Sequence, residues 1–233
     1  MSHTDSFIEE VTEEVRRDRM FALLRRWGWV GILAIVLIVG GAAFNEWRKA
    51  RFLAASQAFG DAIAAALEAP DAKARLEALA AAEPVTPAGR AVRDLLAAEA
   101  ELAAGRPGDA VSRLEALAAD AALPERYRTL ARLKAAILAG RLPEKRNDPA
   151  RLAALEELAA PGAPFRPIAL EELAIAKLSA GDREGAIASL RALLDEPGVS
   201  QAQSTRVAQL LTSLGAAPEP AGAGAGDAAP SEG

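Results

Sequence analysis

The sequence predicts an all-α protein: a single N-terminal transmembrane helix, then an α-solenoid of about four helix pairs ending in a capping helix. Three observations carry this expectation. Alanine supplies about a quarter of the 233 residues and aromatics only 4%. Alanine is the strongest helix former, whereas strands draw on aromatic and β-branched side chains. Trp27 to Asn45 holds no charged residue, and beyond it a leucine pattern recurs with an offset of 38 residues. Periods of 20–50 residues are the mark of stacked supersecondary units.

Composition also excludes classes of chemistry. Charged residues are 25% of the chain and the net charge is −5, an ordinary balance for a folded protein and a poor one for nucleic-acid binding. Cysteine is absent, which removes disulfides, thiolate nucleophiles and cysteine-held metals together. The one histidine is His3, near the terminus, so histidine triads and multi-histidine metal sites are excluded.

The first element in order is a lead-in, residues 1–26. Ser6 and Glu9 have capping-box spacing, and Ile8, Val11 and Val15 follow at helical spacing. This pattern suits either a docking helix or a solvated helical lead-in. The transmembrane helix is assigned to residues 27–44, WGWVGILAIVLIVGGAAF. Eighteen residues rise about 27 Å as a helix, close to the hydrocarbon thickness of a bilayer. Trp27 and Trp29 stand at one end and Trp47 at the other, where indole favours the headgroup layer. Arg16, Arg17, Arg19, Arg25 and Arg26 precede the span, against Arg48, Lys49 and Arg51 after it. That bias predicts a cytoplasmic N-terminus and a C-terminal domain on the far side of the membrane, which is the periplasm if the source is a Gram-negative bacterium. A signal peptide has a short basic leader. Here the leader carries six acids, Asp5, Glu9, Glu10, Glu13, Glu14 and Asp18, which favours a retained anchor.

The repeat domain is expected over residues 45–215. RLEALA occurs at 75–80 and again at 113–118, and the same register reaches Arg151 and Ser189. Leu76, Leu114, Leu152 and Leu190 form one series; Leu79, Leu117, Leu155 and Leu193 form a second. Ala78, Ala116, Ala154 and Ala192 lie between them, small enough to let helix axes approach closely. First helices are predicted at 45–67, 88–104, 125–139 and 166–180, and second helices at 71–82, 108–120, 149–160 and 183–195. A capping helix is predicted at 200–214, through Val207, Leu210, Leu211 and Leu214. Pro70, Pro84, Pro87, Pro107, Pro124, Pro143, Pro161 and Pro197 break the chain between them. Ala-Gly recurs at 104–105, 139–140 and 180–181, where glycine suits the left-handed position that ends a helix. The tail, 216–233, lacks any large apolar residue, so composition predicts a disordered Ala/Gly/Pro segment.

A search for chemistry singles out no catalytic, cofactor-binding or metal-ligating residue, and no cofactor is expected. The pairs Glu9/Glu10, Glu13/Glu14, Glu156/Glu157 and Glu171/Glu172 are adjacent in sequence, so their side chains diverge by about 100° on a helix. Lys177 with Ser179, and Glu99 with Glu101, fit no nucleophile or acid–base motif. Arg90, Arg93, Arg126, Arg128 and Arg132 suit either a groove that reads acidic or carbonyl groups or ordinary surface charge. Phe52, Phe59, Tyr127 and Phe165, the rings beyond the anchor region, read as core.

The opening stretch FIEEVTEEVRRDRMFALLRRWGW, the span and the degenerate helix pairs together resemble the YfgM-type ancillary subunit of the Sec translocon, across residues 6–215. Gly105 with Ala110, and Gly181 with Ala186, match the glycine–alanine spacing of a tetratricopeptide inter-helix turn. Gly140 has Lys145 at that position, the period is 38 rather than 34, and the tryptophan and tyrosine of the repeat signature are missing. The resemblance implies a tetratricopeptide-like, non-enzymatic scaffold in the bacterial inner membrane. It further implies partners: the SecYEG translocon, a membrane-anchored periplasmic prolyl-isomerase-like chaperone, and newly exported client proteins. The same architecture also serves an organiser of an envelope or cell-division complex, or a regulator acting through its cytoplasmic segment.

Overall fold

The computed structural model describes the backbone of residues 3–216, with side chains described at Phe21 and over 25–216. Of the tail expected to be disordered, 216–233, Ala216 is bonded to the Leu211 carbonyl, while residues 217–233 lie outside the described residues, as do the side chains of Ser6, Glu9, Ile8, Val11 and Val15. All regular structure among the described residues is helical.

The lead-in, the span and the first repeat helix form one helix, α1 (His3–Leu67), where the sequence suggested three segments. The reason is the absence of a breaker. The first proline in the chain is Pro70, and the glycines before it sit singly or in one pair, each at a cost of about 1 kcal/mol that does not by itself end a helix. The chain divides into two compact units, Met1–Ala58 and Phe59–Gly233. In the first, α1 contains an 18-residue window of mean hydropathy 2.1, none of which is buried. A core helix of the same composition has its apolar face covered; here Ile32, Leu37 and Ile38 are exposed along with all three tryptophans.

The second unit holds the end of α1 and eight further helices: α2 (Ala72–Ala81), α3 (Pro87–Ala103), α4 (Pro107–Ala119), α5 (Glu125–Ala139), α6 (Pro149–Leu158), α7 (Arg166–Ser179), α8 (Arg183–Leu194) and α9 (Gln201–Ser213). Seven of these eight starts, all but that of α5, carry a side-chain cap or a proline in the first positions. Asp71, Thr86, Asp148, Asp182 and Ser200 cap α2, α3, α6, α8 and α9 by accepting a backbone N–H from the first turn. Proline occupies the first positions of α3, α4, α6 and α7, where its missing N–H costs nothing.

From α2 onward, each helix packs against the next. Three apolar clusters follow in chain order. Ala66, Leu79, Ala97 and Ala100 join the end of α1 to α2 and α3. Ala91, Ala110, Val111, Leu114, Leu117 and Ala131 join α3, α4 and α5. Leu133, Leu155, Leu170, Leu190, Leu193 and Leu211 join α5 through α9. The series Leu79, Leu117, Leu155 and Leu193 is buried in all four copies. In the other series Leu114 and Leu190 are buried while Leu76 and Leu152 are only partly covered. The alanines between them are not the close-approach points. Ala116 is exposed and Ala78, Ala154 and Ala192 are half-buried, whereas Ala66, Ala91, Ala110, Ala131, Ala169 and Ala186 are fully enclosed. An alanine midway between core leucines 3 residues apart lies off the buried face.

One expected turn differs. Gly105 and Gly181 end their helices with φ of 71° and 83°, the left-handed conformation predicted for them. Gly140 stays right-handed, with φ of −63°. What it supplies is space: a Cβ there overlaps the guanidinium of Arg151.

Candidate functional site

The residues weighed from sequence are spread across the helical unit and mostly committed to one another. Arg90 pairs with Asp120 at 2.5 Å and Arg93 with Asp94 at 2.9 Å. Arg132 pairs with Glu157 at 2.6 Å. Arg128 donates to the Ala118 carbonyl at 3.4 Å, and Arg126 lies over the Tyr127 ring at 5.0 Å. Arg128 and Arg132 line one cleft with Glu125 and Glu157, while Arg90 lines another with Asp94 and Asp109. The five arginines therefore do not form one basic groove.

The carboxylate pairs separate as helix geometry requires. Glu99 pairs with Lys134 on the surface, whereas Glu101 is buried and takes Arg113 in a fork, Nε at 3.0 Å and Nη2 at 2.5 Å. The carboxylate acceptor holds the Arg113 guanidinium above its ordinary pKa. Glu171 accepts from Arg206 at 2.6 and 2.9 Å and from Gln203 at 2.9 Å, and the Arg206 bonds hold it below the usual carboxylate range. Glu172 is pushed up instead by burial, with Arg151 at 3.7 Å only partly offsetting this. Ser179 donates to its own helix at Ile175, away from Lys177. Lys177 donates to Ser189 at 3.2 Å, and Ser189 directs its hydroxyl to the Gly185 carbonyl at 3.0 Å. A serine nucleophile needs the reverse, a base that accepts its proton. Among the described residues, no group of three or more His, Cys, Asp and Glu side chains is placed to hold a metal ion.

A polar regularity accompanies the leucine pattern. Arg75, Arg113, Arg151 and Ser189 occupy the same position in successive 38-residue units. Each is bonded to the helix before its own. Arg75 donates to Leu67 O at 3.3 Å, Arg113 to Glu101, and Arg151 to Ala136 O at 2.7 Å; Ser189 accepts from Lys177. Arg151 is 6% exposed, and burial pulls its guanidinium below the usual value. The signal was the recurring arginine ahead of the leucines.

A largely apolar cleft of about 350 Å³ lies among α4, α5 and α6. Ala118 and Ala119 come from α4, Ala135, Ala136 and Ala139 from α5, and Ala150 and Ala154 from α6. Methyl groups alone make a shallow floor that admits a backbone or a large apolar side chain at close range. The Lys145–Glu115 pair at 3.0 Å, Arg132 and Asp148 rim it. Sequence reading missed the cleft because its alanines come from three helices with no common spacing. Among the described residues the fold is all-helical, with one N-terminal helix long and apolar enough to cross a membrane. No protein-family model, no curated protein and no solved structure matches the chain.

Proposed function

We propose that this chain is a single-pass, membrane-anchored protein-interaction scaffold without catalytic activity. Residues 27–44 are the span, and residues 45–215 form a tetratricopeptide-like α-solenoid that holds other proteins at the membrane. The observation that carries the anchor is the fully uncovered apolar window of α1. The solenoid is supported by next-neighbour packing and by three cores that follow in chain order, the pattern of quasi-one-dimensional stacks. A tethered domain meets its partners at raised effective concentration, so a shallow cleft of modest affinity suffices.

Within this reading, the resemblance of the opening stretch and span supports an ancillary role at the Sec translocon of a bacterial inner membrane. The domain then faces the periplasm, beside a prolyl-isomerase-like chaperone and newly exported chains. Two experiments test it. The chain has no cysteine, so Ser213→Cys introduces a single exposed thiol. It is expected to react with a membrane-impermeant maleimide in intact spheroplasts, and protection there overturns the orientation. Photo-crosslinking from Ala119 in native membranes is expected to recover Sec components, the chaperone or exported clients. Recovery of division proteins alone, with mid-cell localisation, replaces the translocon reading.

A further inference from the structure

The segment of α1 just past the apolar window carries a second pattern. Phe44, Trp47 and Arg51 form one row at spacings of three and four, and Phe44, Arg48 and Phe52 a second at spacings of four, so the five share one broad face of the helix. All five are exposed, including Phe52, which the sequence reading placed in the core. Phe44 and Trp47 rings lie 5.9 Å apart, and the Arg51 guanidinium rests over the Trp47 ring at 4.9 Å. Side chains on a helix lean toward its N-terminus, so Arg51 leans back toward the apolar window. The opposite face holds the acid: Glu46 pairs with Lys49 at 3.9 Å. Neither Arg48 nor Arg51 pairs with a carboxylate among the described residues.

Depth agrees with this chemistry. At 1.5 Å per residue, Trp47 and Arg48 lie about 5 Å beyond Phe44; Arg51 starts about 10 Å beyond it, and its guanidinium, resting over Trp47, returns to the depth of that ring. The headgroup layer extends roughly 5–7 Å past the hydrocarbon on each side. Long cationic side chains bury their stems in apolar surroundings while the charge stays at the interface. Two guanidiniums held on one helix face, between aromatic rings and without a protein counter-charge, complement phosphodiester anions that lie at that depth.

We propose that Phe44, Trp47, Arg48, Arg51 and Phe52 form a collar that selects anionic phospholipid headgroups at the C-terminal end of the span. This rests on the reading of α1 as a membrane anchor. The occupant is lipid because the face is continuous with the apolar window and interleaves rings with its charges, whereas a free anion has no use for the rings.

The test uses the full-length chain carrying Trp27→Phe and Trp29→Phe, which leaves Trp47 as the only indole. It is reconstituted into liposomes of phosphatidylcholine and phosphatidylglycerol, with the acyl chains of one or the other brominated to quench Trp47. Co-flotation with the liposomes checks the anchor separately. The expected result is preferential quenching by brominated phosphatidylglycerol. The preference falls roughly five-fold for each arginine removed in Arg48→Gln and Arg51→Gln, since each basic group near an anionic surface contributes about that factor. The doubly substituted chain still floats. A floating protein with equal quenching by both lipids, or with a preference that survives both substitutions, overturns the collar and leaves the anchor standing. A protein that does not float overturns the anchor and the collar with it. If millimolar inorganic phosphate abolishes the preference more than chloride of equal ionic strength, the face takes free phosphate and the lipid assignment fails.

Discussion

Glu101 and Arg113 form a fork in which the two partners differ sharply in burial, and that difference fixes the order of two substitutions. The Glu101 side chain is 6% exposed and that of Arg113 38% exposed. Arg113→Met keeps the apolar stem but strands a carboxylate out of reach of water. Leaving a buried charge uncompensated costs about 3–5 kcal/mol, and the lower end applies because the neighbouring surface can relax. Glu101→Gln strands a guanidinium that water already reaches, and the amide still accepts one hydrogen bond. Exposed ionic partners contribute about 1 kcal/mol or less. The expected losses are therefore about 3 kcal/mol for Arg113→Met and about 1 kcal/mol for Glu101→Gln. The double substitution Glu101→Met with Arg113→Met is expected to cost less than Arg113→Met alone, because no charge is left behind. Urea titration of the full-length protein in mild detergent, followed by far-ultraviolet circular dichroism, measures all three. Equal losses from the two single substitutions, or a larger loss from Glu101→Gln, refute the assignment of Glu101 as the partner that needs the pair.

At Gly140, an added methyl must displace a buried guanidinium, so Gly140→Ala is expected to cost about 2 kcal/mol by the same titration. In an Arg151→Ala background that cost should vanish, because the obstruction is gone; a cost unchanged by the background refutes the steric account. Leu155 is fully buried and Leu152 only partly, so Leu155→Ala should cost about 2–5 kcal/mol and Leu152→Ala less than half as much. The folded state holds the Glu171 pKa down through Arg206, so this residue contributes stability above its unfolded pKa that is lost as pH falls through its folded pKa. Unfolding midpoints across the acid range should therefore decline less steeply in Glu171→Gln than in the parent chain, and identical slopes refute the linkage.

The all-α class and the apolar N-terminal helix are legible in composition and periodicity alone. The helix boundaries come from proline and from the residues that cap, both local effects that need no tertiary information. What eludes the sequence is whatever depends on a neighbour. Gly140 looks like another helix-ending glycine until Arg151, 11 positions away, is seen to occupy the space above it. Ala116 sits between two core leucines yet faces water, while Ala131 on the next helix is enclosed. With so many alanines, the pattern contains more candidate contact points than the fold uses. The alanine cleft is hidden for the same reason. The unbroken run of α1 was open to inference from the absence of proline before Pro70, but a change from lead-in to span to repeat suggested boundaries that the backbone has no cause to form.

Alanine-rich helices that pack each against the next raise a question of register. Methyl groups interlock weakly, so two helices faced with alanine can slide by a turn while losing little contact. The position shared by Arg75, Arg113, Arg151 and Ser189 answers it, because a hydrogen bond tolerates far less displacement than a methyl contact. Each such residue joins its helix to one point on the preceding helix: a carbonyl for Arg75 and Arg151, a carboxylate for Arg113, an ammonium for Ser189. The partners differ in kind while the position does not, which argues that the bond's location in the hairpin, rather than its particular chemistry, is what the fold requires. Buried polar links of this sort add little net stability against an apolar replacement. Their contribution lies in making one pairing of adjacent helices better than its neighbours one turn away, and helices poor in large side chains have few other means to do so.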